Sequence, residues 1–148
     1  VARVDYSAIE QQIKTILTAD STLAGVTVEV ERNGLESPEQ CPWVGVYLER
    51  RRIERRPIAA GTRMDYRVAF LLWCYEYHME SIETANTARD NLIGKVEIAL
   101  MKNPTLGGTV TMMMLADDAG EFETAQASPG FLSGGSIRAE AVVKATTT

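Results

Sequence analysis

The chain has 148 residues, 45% of them hydrophobic and 24% charged, with a formal net charge of −5. That size accommodates one domain with a real core, and no apolar run approaches the roughly 20 residues of a membrane span. The acidic total opposes bulk attraction to nucleic acid, and Cys41 and Cys74, without CxxC spacing, read as free thiols of a protein folding in a reducing cytoplasm.

The chain opens at Val1–Asp5 without a signal-peptide pattern. A first helix is predicted from about Asp5 to Ala19, with Asp5 or Ser7 as N-cap and Ile9, Ile13, Ile16 and Leu17 on one stripe. Gly25 ends the connection, and Val26, Val28 and Val30 form a short strand. The loop that follows, with Asn33-Gly34, Pro38 and Pro42, is too rich in turn residues for regular structure.

Two long strands come next, about Trp43 to Arg56 and Thr62 to Tyr77, joined by Pro57-Ile58-Ala59-Ala60-Gly61. Placing Arg56 opposite Thr62 sets Val44 against Cys74, Val46 against Leu72 and Leu48 against Phe70, all apolar pairs. A one-residue slip would mix the faces, so the pattern itself selects this register. The opposite face is then aromatic, with Trp43 near Tyr75, Gly45 near Trp73 and Tyr47 near Leu71. Two helices cannot cover both faces, and a second subunit is the natural cover.

A second helix is predicted from about Ser81 to Lys102, its apolar side formed by Ile82, Ala85, Ala88, Leu92, Val96, Ala99 and Leu100. Asn103 is a candidate left-handed C′ residue with Pro104 behind it, and Gly107-Gly108 bend the chain. A strand to about Ala116 follows, with methionines on both faces. After it come the acidic turn Asp117-Asp118-Ala119-Gly120-Glu121, a weaker strand over Phe122–Ala127, a Gly/Ser loop, and a last strand around Ile137 to Ala145. This order predicts one two-layer α+β domain over residues 1–148, with two helices on one face of a largely antiparallel or mixed sheet. Its hairpin projects at about residues 50–67, because a strand of about 14 residues spans roughly 45 Å. Residues 145–148 are expected to be a flexible end.

Seven of the eleven arginines lie between Arg50 and Arg67. Alternation sends Arg50, Arg52 and Arg56 to one face of the hairpin and Arg51 and Arg55 to the other, while Glu49 and Glu54 interrupt the run. In the predicted register Arg51 lies beside Arg67 and Arg55 beside Arg63, so the arm needs anionic partners. A protein neighbour is preferred over a merely solvated hairpin, and both over nucleic acid. The interface candidates are therefore Arg50, Arg51, Arg52, Arg55, Arg56, Arg63 and Arg67 on the arm, and Trp43, Tyr47, Trp73 and Tyr75 on the aromatic face.

No catalytic, cofactor-binding or metal-binding set is predicted. His78, the one histidine, lies near Glu76, Glu80 and Glu83, a spacing that arises freely at a strand end, and no GxSxG elbow is present. Asp117, Asp118, Glu121 and Glu123 lack EF-hand spacing and read as a solvated turn. Gly107-Gly108 and Gly134-Gly135 are turns rather than phosphate cradles, since neither follows a strand and opens a helix with a Lys.

In order and spacing the chain resembles the phage tail terminator and tail-completion proteins, those similar to the lambda minor tail protein U. The resemblance spans almost the whole length. It rests on the first-helix pattern Ile9-Glu10, Ile13, Ile16-Leu17, on Gly25-Val26-Thr27-Val28, on Pro42-Trp43-Val44-Gly45-Val46 and on the return strand Tyr66-Arg67-Val68-Ala69-Phe70-Leu71. The helix end Ala99-Leu100-Met101-Lys102-Asn103-Pro104-Thr105-Leu106-Gly107-Gly108 and the strand after Gly130-Phe131 complete it. The resemblance implies a virion structural protein, not an enzyme, that forms a hexameric ring on the tail tube, stops its polymerisation and joins it to the head–tail connector. The implied partners are copies of itself, the tail tube protein and the connector protein, with no membrane and no sequence-specific nucleic acid, although DNA would pass through the ring. Its place would be the virion tail or neck, and the host cytoplasm before assembly. A head-closure, neck or tube protein, or a small α+β ligand-binding or regulatory module, is the alternative. Ring contacts join unlike patches, which makes the arm and the aromatic face candidates for the two sides of one contact.

Overall fold

A computed structural model describes residues 4–32, 34–58, 61–116, 120–127 and 129–147, with the backbone alone at 56–58, 61–63, 126–127 and 145–147. The predicted Asn33-Gly34 turn, the hairpin tip at 59–60 and the acidic turn at 117–119 fall in part or whole outside these residues.

Helix α1 covers Tyr6–Ala19, and the Asp5 carboxylate caps it by accepting the Ala8 N–H at 3.0 Å. Strand β1 is Thr27–Val30, β2 is Trp43–Ile58 and β3 is Gly61–His78. Helix α2 covers Ile82–Met101 under a Ser81 cap, and β4 (Met112–Leu115), β5 (Phe122–Ala127) and β6 (Gly130–Thr147) complete the chain. The six strands form one open mixed sheet in the order β1-β2-β3-β6-β4, with β5 also paired to β6. The fold is α+β, as the element order predicts.

One face of the sheet carries both helices. Ile9, Ile13 and Leu17 of α1 and Leu92, Ile93, Val96, Ala99 and Leu100 of α2 close over Val44, Val46, Val68, Phe70, Leu72, Cys74, Ile137, Ala139 and Ala141. On α2 the stripe is shifted from the predicted one: Ile82 is exposed, whereas Ile93 and the stem of Arg89 are buried. The Arg89 guanidinium lies 4.6 Å from the Phe122 ring centre and ion-pairs Asp90 at 2.9 Å, which permits its burial.

The proximal hairpin keeps the predicted register, with Trp43 opposite Tyr75, Val44 opposite Cys74, Val46 opposite Leu72 and Leu48 opposite Phe70. The distal half does not. A bulge between Leu48 and Arg50 leaves Glu49 as an extra residue, so Arg51 faces Val68, Arg52 faces Arg67, Arg55 faces Met64 and Arg56 faces Arg63. The predicted Arg51–Arg67 and Arg55–Arg63 pairs are therefore replaced. The bulge also exchanges faces: Arg51, Ile53 and Arg55 lie on the helix side, and Arg50, Arg52 and Arg56 on the back.

Strand β1 runs parallel to β2, with Val28 opposite Val44, which makes the sheet mixed. Three further expectations change. Asn103 does not adopt the left-handed conformation; its side chain donates to the Ala99 carbonyl at 2.8 Å, and positive φ falls on Leu106, Gly107 and Gly108. The predicted Gly/Ser loop lies largely inside β6, which starts at Gly130, because Gly134 and Gly135 leave room for the Tyr75 ring and the Ile93 side chain. Strand β6 also continues to Thr147 opposite Thr62, so residues 145–147 extend the ladder instead of ending loose. The distal part of the hairpin, here called the arm, is therefore three-stranded, built from β2, β3 and β6.

Candidate interaction surfaces

The back of the sheet is where the predicted aromatic residues gather. In β2, Trp43, Gly45 and Tyr47 share this face, and their β3 partners Tyr75, Trp73 and Leu71 share it with them. Gly45 is required here by close approach: a Cβ at that position would overlap the Trp43 indole. The rings form a chain, Trp43 to Tyr75 at 5.9 Å between centroids and Tyr75 to Trp73 at 6.0 Å, the second pair stacked. Together with Leu71 and Gly34 they line an open groove of about 400 Å³.

The chain itself covers part of this face. The turn Pro38–Gln40 packs on β3, and Trp43 is wholly buried. Its Nε1 has no acceptor among the described residues, whereas Tyr47, Leu71, Trp73 and Tyr75 remain half-buried. Carboxylates stand beside two of the groove's tyrosines. The Tyr75 hydroxyl donates to Glu123 Oε1 at 2.7 Å, and burial together with that carboxylate pushes its phenol up. Burial, then Glu31 and Glu29, push up the Tyr47 phenol. The Cys41 thiol, raised by burial and Glu76 to about 12, stays protonated and is no nucleophile at neutral pH.

Glu31 also closes the end of β1. Its backbone turns left-handed (φ 53°), its N–H donates to the Val46 carbonyl at 2.9 Å, and its carboxylate accepts the Leu48 N–H at 2.8 Å. A side chain thus takes over where the parallel strand stops, one residue before the bulge. Behind it Glu10 of α1 is buried beside Glu31, and burial first, then hydrogen bonding and repulsion from Glu31, raise its carboxyl to about 8. A neutral Glu10 carboxyl can donate to the Glu31 carboxylate.

The arm places its arginines in two settings. On the back, Arg67 is held by Glu140 at 3.2 Å and Glu54 at 3.4 Å, Arg52 by Glu54 at 3.5 Å, and Arg138 by Glu49 at 3.4 Å. These carboxylates answer much of the repulsion that the sequence alone assigns to a neighbour. On the helix side, Arg51 donates to the Tyr6 hydroxyl at 3.0 Å and lies over its ring at 5.4 Å. Arg50 and Arg55 are exposed and have no ion pair among the described residues. The side chains of Arg56 and Arg63 lie outside them. Four large apolar groups beyond the predicted set are exposed on the sheet as well, Ile53 on the arm, Met112 and Met114 on β4, and Phe122 on β5.

His78 meets Glu76 at 3.4 Å, and among the described residues no three His, Cys, Asp or Glu side chains group as metal ligands. No helix among them is long and apolar enough to cross a membrane.

No protein-family model and no curated protein matches the sequence. Among solved structures, a chain from the virion of a native gene transfer agent particle overlays 95% of this chain and 100% of its own length, with a TM-score of 0.44 and 9% sequence identity. An overlay that loose assigns neither family nor role.

Proposed function

We propose that this chain is a virion structural protein, a ring-forming tail terminator that caps the phage tail tube, stops its polymerisation and joins it to the head connector. It acts by surface matching, without catalysis, cofactor or metal. The observation that carries this reading is the separation of two unlike surfaces, an aromatic groove on the back of the body and a basic three-stranded arm beyond it. Unlike patches that meet head to tail generate a ring where the rotation between neighbours closes. The order of sequence elements supplies the rest of the reading, the sixfold count and the station at the tail end.

In this role one ring face matches the last ring of the tube, and the other lacks the surface that recruits a further tube subunit. Negative-stain imaging of the purified protein should show sixfold rings, alone or on tube ends. A strictly monomeric species in sedimentation, at high concentration and with tube protein present, would overturn the reading.

A further inference from the structure

We infer that the aromatic groove is the seat for the arm of a second copy, with Ile53 as the inserted group and Arg55 as the cation that meets the groove's acidic rim. The inference rests on the ring reading and names its contact. The groove offers an apolar floor in the half-buried Leu71, Trp73 and Tyr47. An entering extended strand brings a branched side chain for that floor.

The rim selects the strand. Glu29 stands opposite Gly45 on the groove face at one side, and Glu123 holds Tyr75 at the other. Glu29 has a weak internal partner, Arg32 at 3.9 Å. A basic segment is favoured there and an acidic one repelled. On the same molecule, Ile53 is 44% exposed and sits on the helix side of the arm between Arg51 and Arg55. Arg51 is already engaged by Tyr6, and Arg55 has no ion pair among the described residues. Groove and Ile53 occupy opposite faces of one sheet, so no chain can fill its own groove. A second copy carries the complement.

Of the two tryptophans of the chain, Trp43 is buried and Trp73 is half-buried in the groove, so a change in indole quenching reports cover over Trp73. Full-length protein is followed over a concentration series by sedimentation velocity and by acrylamide quenching. Association should lower the quenching of the wild type. Ile53→Asp and Arg55→Glu, both at exposed positions and with circular dichroism unchanged, should each move the association midpoint at least tenfold higher. Adding Glu29→Arg to Arg55→Glu should bring it back towards wild type. Association of Ile53→Asp at wild-type concentrations, or association that leaves quenching unchanged, would overturn the inference and leave the ring reading standing. Wild-type protein that never associates, alone or with tube protein, would overturn both.

Discussion

Strand β2 contains two regions that differ in what their residues specify. From Trp43 to Leu48 each side chain has a packing reason: Val44 and Val46 enter the core, Trp43 and Tyr47 build the groove, and Gly45 exists to admit the indole. From Arg50 to Arg55 the residues alternate between charges held within the chain and groups left exposed. Glu49, the bulge residue, separates them. The proximal half specifies the fold, and in the distal half one inserted residue decides which charges look which way.

This division predicts stability effects that fall steadily along the strand pair. Phe70→Ala, opposite Leu48 in the sealed core, should cost about 3–5 kcal/mol in urea unfolding. A loss below about 1 kcal/mol would show that the proximal half is not the keystone. Gly45→Ala should cost about 1–3 kcal/mol and shift indole emission, since the added methyl displaces Trp43.

Glu10→Gln probes the joint between the halves. Its carboxyl is raised in the folded state, so the folded chain holds the extra proton; stability from this group is full below the unfolded value of 4.5 and is lost as pH rises towards about 8. The wild type should lose up to about 1.4 kcal/mol per pH unit across that window, and the amide should flatten the slope. Parallel slopes in urea midpoints measured from pH 5 to 8 would remove Glu10 from this role. Arg55→Glu should change monomer stability by less than about 0.5 kcal/mol. A thermal-unfolding shift well beyond that would mean the distal half also carries the fold.

The legible parts of the sequence were those where apolar residues repeat with one period. Val44, Val46, Leu48, Phe70, Leu72 and Cys74 admit a single register, and the structure has it. Past Leu48 the pattern loses its contrast, since arginines stand at odd and even positions alike, and no apolar residue votes against a bulge. Direction was hidden too: the four residues of β1 alternate identically whether they run parallel or antiparallel. Ser133-Gly134-Gly135 looked like a loop by composition, but the reason for those glycines lies in Tyr75 and Ile93, far away in sequence. At the candidate surfaces, the aromatic face was readable from alternation, whereas Glu29 and Glu123 at its rim were not, because their roles depend on strand neighbours absent from local sequence.

The third strand of the arm sets an order of events in folding. Strands β2 and β3 are joined directly and can pair early, but two strands alone are marginal in water. Their stiffening partner, the far half of β6, comes from the opposite end of the described chain, where Lys144 to Thr147 align with Asp65 to Thr62. A contact so distant in sequence forms late, after the loop between has been organised around the core. The arm therefore gains its rigid shape only once the body is complete, and a half-folded chain has no finished arm to offer its neighbours.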